Sequence, residues 1–246
     1  PVRAEIKVVT TIKPLPSLIA NVMDGVGEPS LIIEGSTSPH SFTLKPSHAK
    51  LLEEADLIFW VGEGMETFME RPLKSIVKNA EVVEFMEVES IEKLKFREES
   101  IFGNHDYHDD NDEDHEDHDD HDDHDDHDED HDDHDDHDEH AEHEGHNHGE
   151  FDAHIWLDPN NAKEMVHEIA HELVHIDPAN KDKYEANAET TIQEIDELID
   201  DVSKDINKDA KFVVFHDAYQ YFEERFGLRA AGALTLNTDV LPGAKQ

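Results

Sequence analysis

Hydrophobic positions in this 246-residue chain alternate between two spacings. Residues 5–12 repeat with period two, with Ile6, Val8, Thr10 and Ile12 on one side, which predicts a strand. Residues 14–23 switch to helical spacing through Leu15, Leu18, Ile19 and Val22, with proline near the start. A short apolar strand follows at 30–33, and then a polar loop at 35–46. Ser47 is the expected cap of a helix over 48–55. Residues 56–61 form another apolar strand, and Gly62 to Gly64 turn the chain. The spacing predicts a helix over 65–77, which Pro72 must kink or restart, and a strand over 81–86.

After Val88 the periodicity fades, and it resumes at Phe151. Two helices are then expected, one over 161–175 and one from 178 to about 207. The second is long for a globular protein. Its apolar stripe is Ile192, Ile195, Leu198, Ile199 and Val202, and charges fill the rest, as suits a strut between two lobes. A buried strand over 211–215 ends at His216. A helix over 218–226 is stopped by Gly227, and 228–236 reads as a further strand. Strands alternating with helices imply an α/β fold with parallel sheets. The expected divisions are an N-terminal α/β lobe at 1–177, a connecting helix at 178–207, and the start of a C-terminal α/β lobe at 208–246. A sheet of two strands is small to stand alone.

Composition changes the picture at one place. Residues 105–150 hold 14 of the 21 histidines and 26 carboxylates, with no Lys or Arg. They supply −26 of the formal charge of −43. Such a segment has almost no apolar surface to offset the entropy of ordering, so a disordered loop is expected. Imidazole is a common ligand for zinc and its neighbours, and carboxylates attract any cation. The segment is therefore either a metal collector or a solvated acidic linker. The collector's ligands would be His105, His108, His115, His118, His121, His124, His127, His131, His134, His137, His140, His143, His146 and His148. The rest of the chain is acidic too, which disfavours nucleic acid and anionic membrane surfaces as partners. The absence of cysteine excludes disulfides, thiolate zinc sites and a catalytic thiol. No apolar stretch reaches the roughly 20 residues of a spanning helix. Residues 1–4 fit the end of a removed export signal.

Three isolated histidines fall at informative places. His40 lies in the loop after a strand, His154 lies beside a tryptophan at a strand-to-helix junction, and His216 ends a strand. Asp217 beside it can cap the next helix. In parallel α/β sheets, ligands bind beyond the carboxyl ends of strands. Three convergent imidazoles make a zinc set with one position left over, although a single loop histidine is ordinary. A competing pattern is HExxH, at His167, Glu168 and His171 and again from His171 to His175. On a helix it offers two zinc ligands and a general base. Here its histidines border the apolar stripe beside Glu164, Glu168 and Glu172, which reads as a solvated face. No P-loop, GxSxG or GxGxxG motif is present.

Five segments carry a resemblance: Val8 to Pro14 (VVTTIKP), Ser38 to Ser47 (SPHSFTLKPS), Ala55 to Gly62 (ADLIFWVG), His154 to Pro159 (HIWLDP), and Phe215 to Phe222 (FHDAYQYF). Taken in order, they resemble the zinc-binding solute receptors of bacterial ABC metal-uptake systems. The resemblance covers the chain apart from the His/acid segment, which itself resembles a metal-rich loop inserted at this place in many zinc members. It implies two α/β lobes joined by a long rigid helix, with the metal held between them. His40, His154 and His216 correspond to the family's three histidine ligands. Manganese relatives carry a carboxylate in place of the third, and softer nitrogen donors favour zinc, nickel or cobalt. The resemblance further implies a monomeric, periplasmic, non-enzymatic Zn(II) receptor that docks on a membrane permease with its ATPase. Family members continue past the residue matching Gln246, so an incomplete second lobe is expected. Some draw a fourth, carboxylate ligand from that region. The alternatives are a metal buffer acting only through its His-rich segment and an HExxH zinc hydrolase.

Overall fold

The computed structural model describes residues 6–35, 37–97 and 150–235, all within one compact unit. The fourteen histidines of the acidic segment lie outside the described residues. Two parallel sheets, flanking helices and a long helix build the fold, as the strand–helix alternation predicts. The first sheet has strand order β2-β1-β3-β4, with β1 at Val8–Thr10, β2 at Ser30–Leu31, β3 at Leu57–Trp60 and β4 at Glu81–Glu84. Its registers pair Val9 with Ser30, Ile58 with Val9, and Ile58 with Val82. The β2 pairing extends beyond the strand, since Ile32 and Ile33 donate backbone hydrogen bonds to Thr10 and Thr11. Every residue of β1 and β3 is buried, because helices cover both faces.

Helix α1 (Pro14–Val22) buries Leu15, Ile19 and Val22, the stripe that its spacing predicts. Helix α2 (Pro46–Glu54) starts ahead of expectation. Lys45 is its cap residue rather than Ser47, and Pro46 takes the first helical position, where its missing N–H is no loss. The His48 ring accepts the Lys45 backbone N–H at 3.2 Å. Helix α3 is short (Glu70–Ser75), because Gly62–Glu66 forms a turn and Thr67–Met69 a 3-10 turn. Pro72 therefore falls in a first turn, where it neither kinks the helix nor breaks a hydrogen bond.

Helix α4 (Pro159–Ile176) begins two residues before the predicted start. Asp158 caps it by accepting the Asn160 N–H at 2.8 Å. Helix α5 (Lys181–Asp205) packs along α4 and α1. Its buried face is Tyr184, Ala188, Thr191 and Ile195, so contact is concentrated in its first half. Leu198, expected in the stripe, is exposed. The second sheet pairs β5 (Val213–His216) with β6 (Gly232–Thr235) in parallel. Between them lies α6 (Gln220–Phe226), ended by Gly227 at φ 69°, a left-handed cap that suits glycine. The predicted burial of β5 is half met. Val214 is buried, whereas Val213 and Phe215 face outward at 60 % and 54 % exposure.

Candidate metal centre

The carboxyl ends of the strands point to one cavity of about 410 Å³. Ile12 follows β1, Ile33 and His40 follow β2, and His216 closes β5; all four line it. Each histidine is held by a different local device. His40 sits in a 3-10 turn, Pro39–Ser41, whose cap Ser38 accepts the His40 N–H at 3.3 Å. His154 opens the 3-10 turn Ile155–Leu157, ahead of α4. His216 is fixed by the pairing of β5 with β6.

The structure brings together three residues that lie far apart in sequence. One ring nitrogen from each of His40, His154 and His216 falls within 4.8 Å of the others, and all three rings are half-buried. The Nε2 atoms of His154 and His216 are 3.4 Å apart. Ring centroids are separated by 5.8 Å for His40–His154, 6.4 Å for His40–His216 and 5.4 Å for His154–His216. Trp156, Met65 and Leu157 add apolar wall to the cavity.

Asp152, which motif reading passes over, orients the cluster. Its Oδ1 lies 2.6 Å from His154 Nδ1 and also accepts the His154 backbone N–H at 3.0 Å. An ionised carboxylate only accepts, so Nδ1 carries the ring proton and Nε2 turns its lone pair toward the other rings. Such a partner fixes both the tautomer and the ring plane of a metal-binding histidine. The sequence signal for it is an acid two residues before a histidine, which is too common to single out. Burial, together with repulsion from His154, pulls the His216 pKa below its ordinary value, and Asp152 opposes this. The cavity thus favours neutral imidazole at His216, the form that binds metal.

The second sheet is tied to this arrangement through α6. Tyr221 Oη donates to the Asp152 carbonyl at 2.7 Å and accepts the Leu94 N–H at 2.9 Å. Arg225 grips Asp158 through two hydrogen bonds of 2.8 and 2.6 Å. Arg97 pairs with Glu223 at 3.1 Å. Asp217, the expected cap of this helix, does not cap it. The helix begins at Gln220 with no side-chain cap, and Asp217 is half-buried, 3.7 Å from Arg97. Burial raises its pKa.

The HExxH pattern lies elsewhere. His167 and His171 line a groove between α4 and α5, while Glu168, His171 and Glu172 gather into a separate cluster that does not include His167. The face predicted to be solvated is not wholly so, because Glu172 is buried.

Residues 8–246 match the family model described as zinc-uptake complex component A, periplasmic, and the chain belongs to that family. The high-affinity zinc uptake system protein ZnuA of Brucella abortus (strain 2308) is 49 % identical over 239 residues, covering 96 % of this chain and 70 % of that protein. The protein of the same name from Yersinia pestis is 34 % identical, covering 99 % and 70 %. Two solved structures share the fold. The periplasmic zinc binding protein TroA from Treponema pallidum has a TM-score of 0.70 at 19 % identity, covering 98 % of this chain and 71 % of its own. The Zn(II)-bound ZnuA-like domain of Streptococcus pneumoniae AdcA has a TM-score of 0.65 at 20 % identity, covering 98 % and 72 %.

Proposed function

We infer that this protein is a periplasmic receptor that binds Zn(II) through His40, His154 and His216 and delivers it to a membrane permease powered by an ATPase. The observation that carries the reading is the convergence of three imidazole nitrogens within 4.8 Å of one another. The family match and the names of the ZnuA relatives support zinc as cargo. Three neutral nitrogen donors suit zinc better than manganese. Zinc bound there takes no part in turnover, so the protein acts as a carrier rather than an enzyme. Ligands drawn from both sheets couple capture to their relative position, which gives a permease a means to tell loaded from empty protein. Among the described residues no helix is long and apolar enough to cross a membrane. In this reading residues 1–177 and 208–246 belong to separate lobes, 178–207 connect them, the protein works as a monomer, and the His-rich segment collects zinc near the cavity.

The test is His216→Ala, with zinc binding measured by competition against a chromogenic chelator. The expected outcome is loss of the tight equivalent while weaker ions remain on the acidic segment. A tight site that persists in this variant would favour the plain metal-buffer alternative.

A further inference from the structure

Glu172 on α4 is only 9 % exposed, yet one of its carboxylate oxygens lacks an ordinary donor. Its Oε1 lies 2.8 Å from His171 Nδ1, while Oε2 is sealed from solvent and receives no N–H or hydroxyl donor. The Glu81 carboxyl stands within hydrogen-bonding reach of the same group, so the two acids must share either a proton or a cation. A buried acceptor in that condition is costly unless something satisfies it. Burial pushes the Glu172 carboxyl up and the nearby Glu81 carboxylate adds to the push, against the pull of His171.

The neighbours supply what a cation needs. Glu168, His171 and Glu172 occupy positions i, i+3 and i+4, so helical geometry stacks them on one face. One donor atom from each lies within 4.8 Å of the others. Glu81, the first residue of β4, brings another carboxylate alongside, 3.9 Å from His175 Nε2. Negative charge is thus concentrated around a buried oxygen with an open coordination valence. His171 is exposed, which leaves an entry path from solvent.

We propose that Glu168, His171 and Glu172, with Glu81 at their edge, form a second divalent-cation site, separate from the three-histidine cavity. Two or three carboxylates and one imidazole form a harder donor set than three imidazoles, suited to a first-row divalent ion that keeps some of its water. Glu172 is the anchor, and the exposed His171 and half-buried Glu168 swing to complete the shell. The site binds more weakly than the cavity, because only one of its ligands is fixed in advance. The ion would neutralise Glu172 and pin α4 to the edge strand β4.

The experiment is zinc-edge anomalous diffraction from crystals of the whole chain grown with Zn(II), paired with bound zinc per chain after equilibrium dialysis. The expected result is a peak among Glu168, His171 and Glu172. That peak disappears in His171→Ala and in Glu172→Gln, with one bound ion fewer, while any peak at His40, His154 and His216 is unchanged. His171→Ala alters an exposed side chain, so its folding is not at issue. A wild-type map without a peak at this cluster overturns the proposal, and so does a peak that survives both substitutions. Either result leaves the three-histidine reading untouched, since that reading stands or falls on His216→Ala.

Discussion

The two parallel sheets obey the same pairing rule and differ in what covers them. In the first sheet, β1 and β3 are flanked by paired strands and sealed on both faces by α1, α4 and their neighbours. In the second, the described core is Val214, Ala230 and Ala233, with Phe212 against it. Val213, Phe215 and Leu234 remain open to solvent. The first sheet is held by its own burial. The second is joined to the first half through α6, by the Tyr221 ring buried in the first core and by polar ties at Tyr221, Arg225 and Arg97. The candidate metal centre spans this difference. His40 and His154 come from the well-packed half, and His216 comes from the thinly packed one. A shared ion would therefore couple a stiff half to a soft one.

The comparison breaks most readily in the core. Phe59→Ala, in fully buried β3, should cost about 3–5 kcal/mol. Phe215→Ala, on the open face of β5, should change stability by no more than about 0.5 kcal/mol. Chemical denaturation of the two variants measures both. Comparable losses would mean that the second sheet is covered as well as the first.

Arg225→Ala leaves Asp158, whose side chain is 5 % exposed, without its cationic partner. A loss of about 3 kcal/mol is expected, the scale for stranding one member of a largely buried pair. Hydrogen exchange should accelerate in β5 and β6 well before β1 and β3 respond. Uniform acceleration would show that the polar ties are not what holds the second sheet.

Asp152→Asn removes the carboxylate that fixes His154 Nδ1–H. Zinc affinity should fall by about 10–100-fold with stoichiometry retained, the usual effect of losing such a support. Calorimetric titration of the variant checks this. An unchanged dissociation constant would reduce Asp152 to a purely structural role.

The smallest effect is on pH response, where the two halves should differ in sign. Glu66 in the first half accepts from the Thr11 hydroxyl at 2.5 Å and from the Val61 and Gly62 N–H groups at 3.2 and 3.0 Å. Burial nevertheless dominates and lifts its pKa to about 7. Burial also raises that of the nearby Glu84 to about 7. Folded protein then holds protons that the unfolded chain has released. Their stabilising contribution is present at acid pH and is lost as pH climbs from the ordinary carboxylate range through about 7. His216 behaves oppositely. Its folded pKa is depressed, so its contribution is present above the ordinary histidine value and is lost as pH falls below it. In zinc-free protein, Glu66→Gln should flatten the first dependence and His216→Gln the second, as seen in urea midpoints across pH. Slope changes of the same sign in the two variants, each taken relative to the unmutated protein, would contradict the assignment.

Much of this molecule was legible before any coordinates. The stripe of α1, the apolar runs of β1 and β3 and the stop at Gly227 follow from local periodicity and backbone preference, which act over a few residues. So does the alternation that makes the sheets parallel. The three candidate histidines are singled out by their places in a loop after a strand, at a strand-to-helix junction and at a strand end, and become a ligand set only through the motifs that carry the family resemblance. Other features depended on neighbours remote in sequence. Val213 and Phe215 have a core-like spelling but an open environment, because exposure is set by what packs above a strand. Leu198 left its stripe for the same reason, since α5 meets other helices most closely along its earlier turns. The burial of Asp152 and Glu172, and the approach of Glu81 to the face that α4 builds from Glu168, His171 and Glu172, are products of tertiary packing. Short-range patterns dictate which segments become strands and helices. The distances between side chains tens of residues apart, and hence the meeting of His40, His154 and His216, are decided only when those segments close on one another.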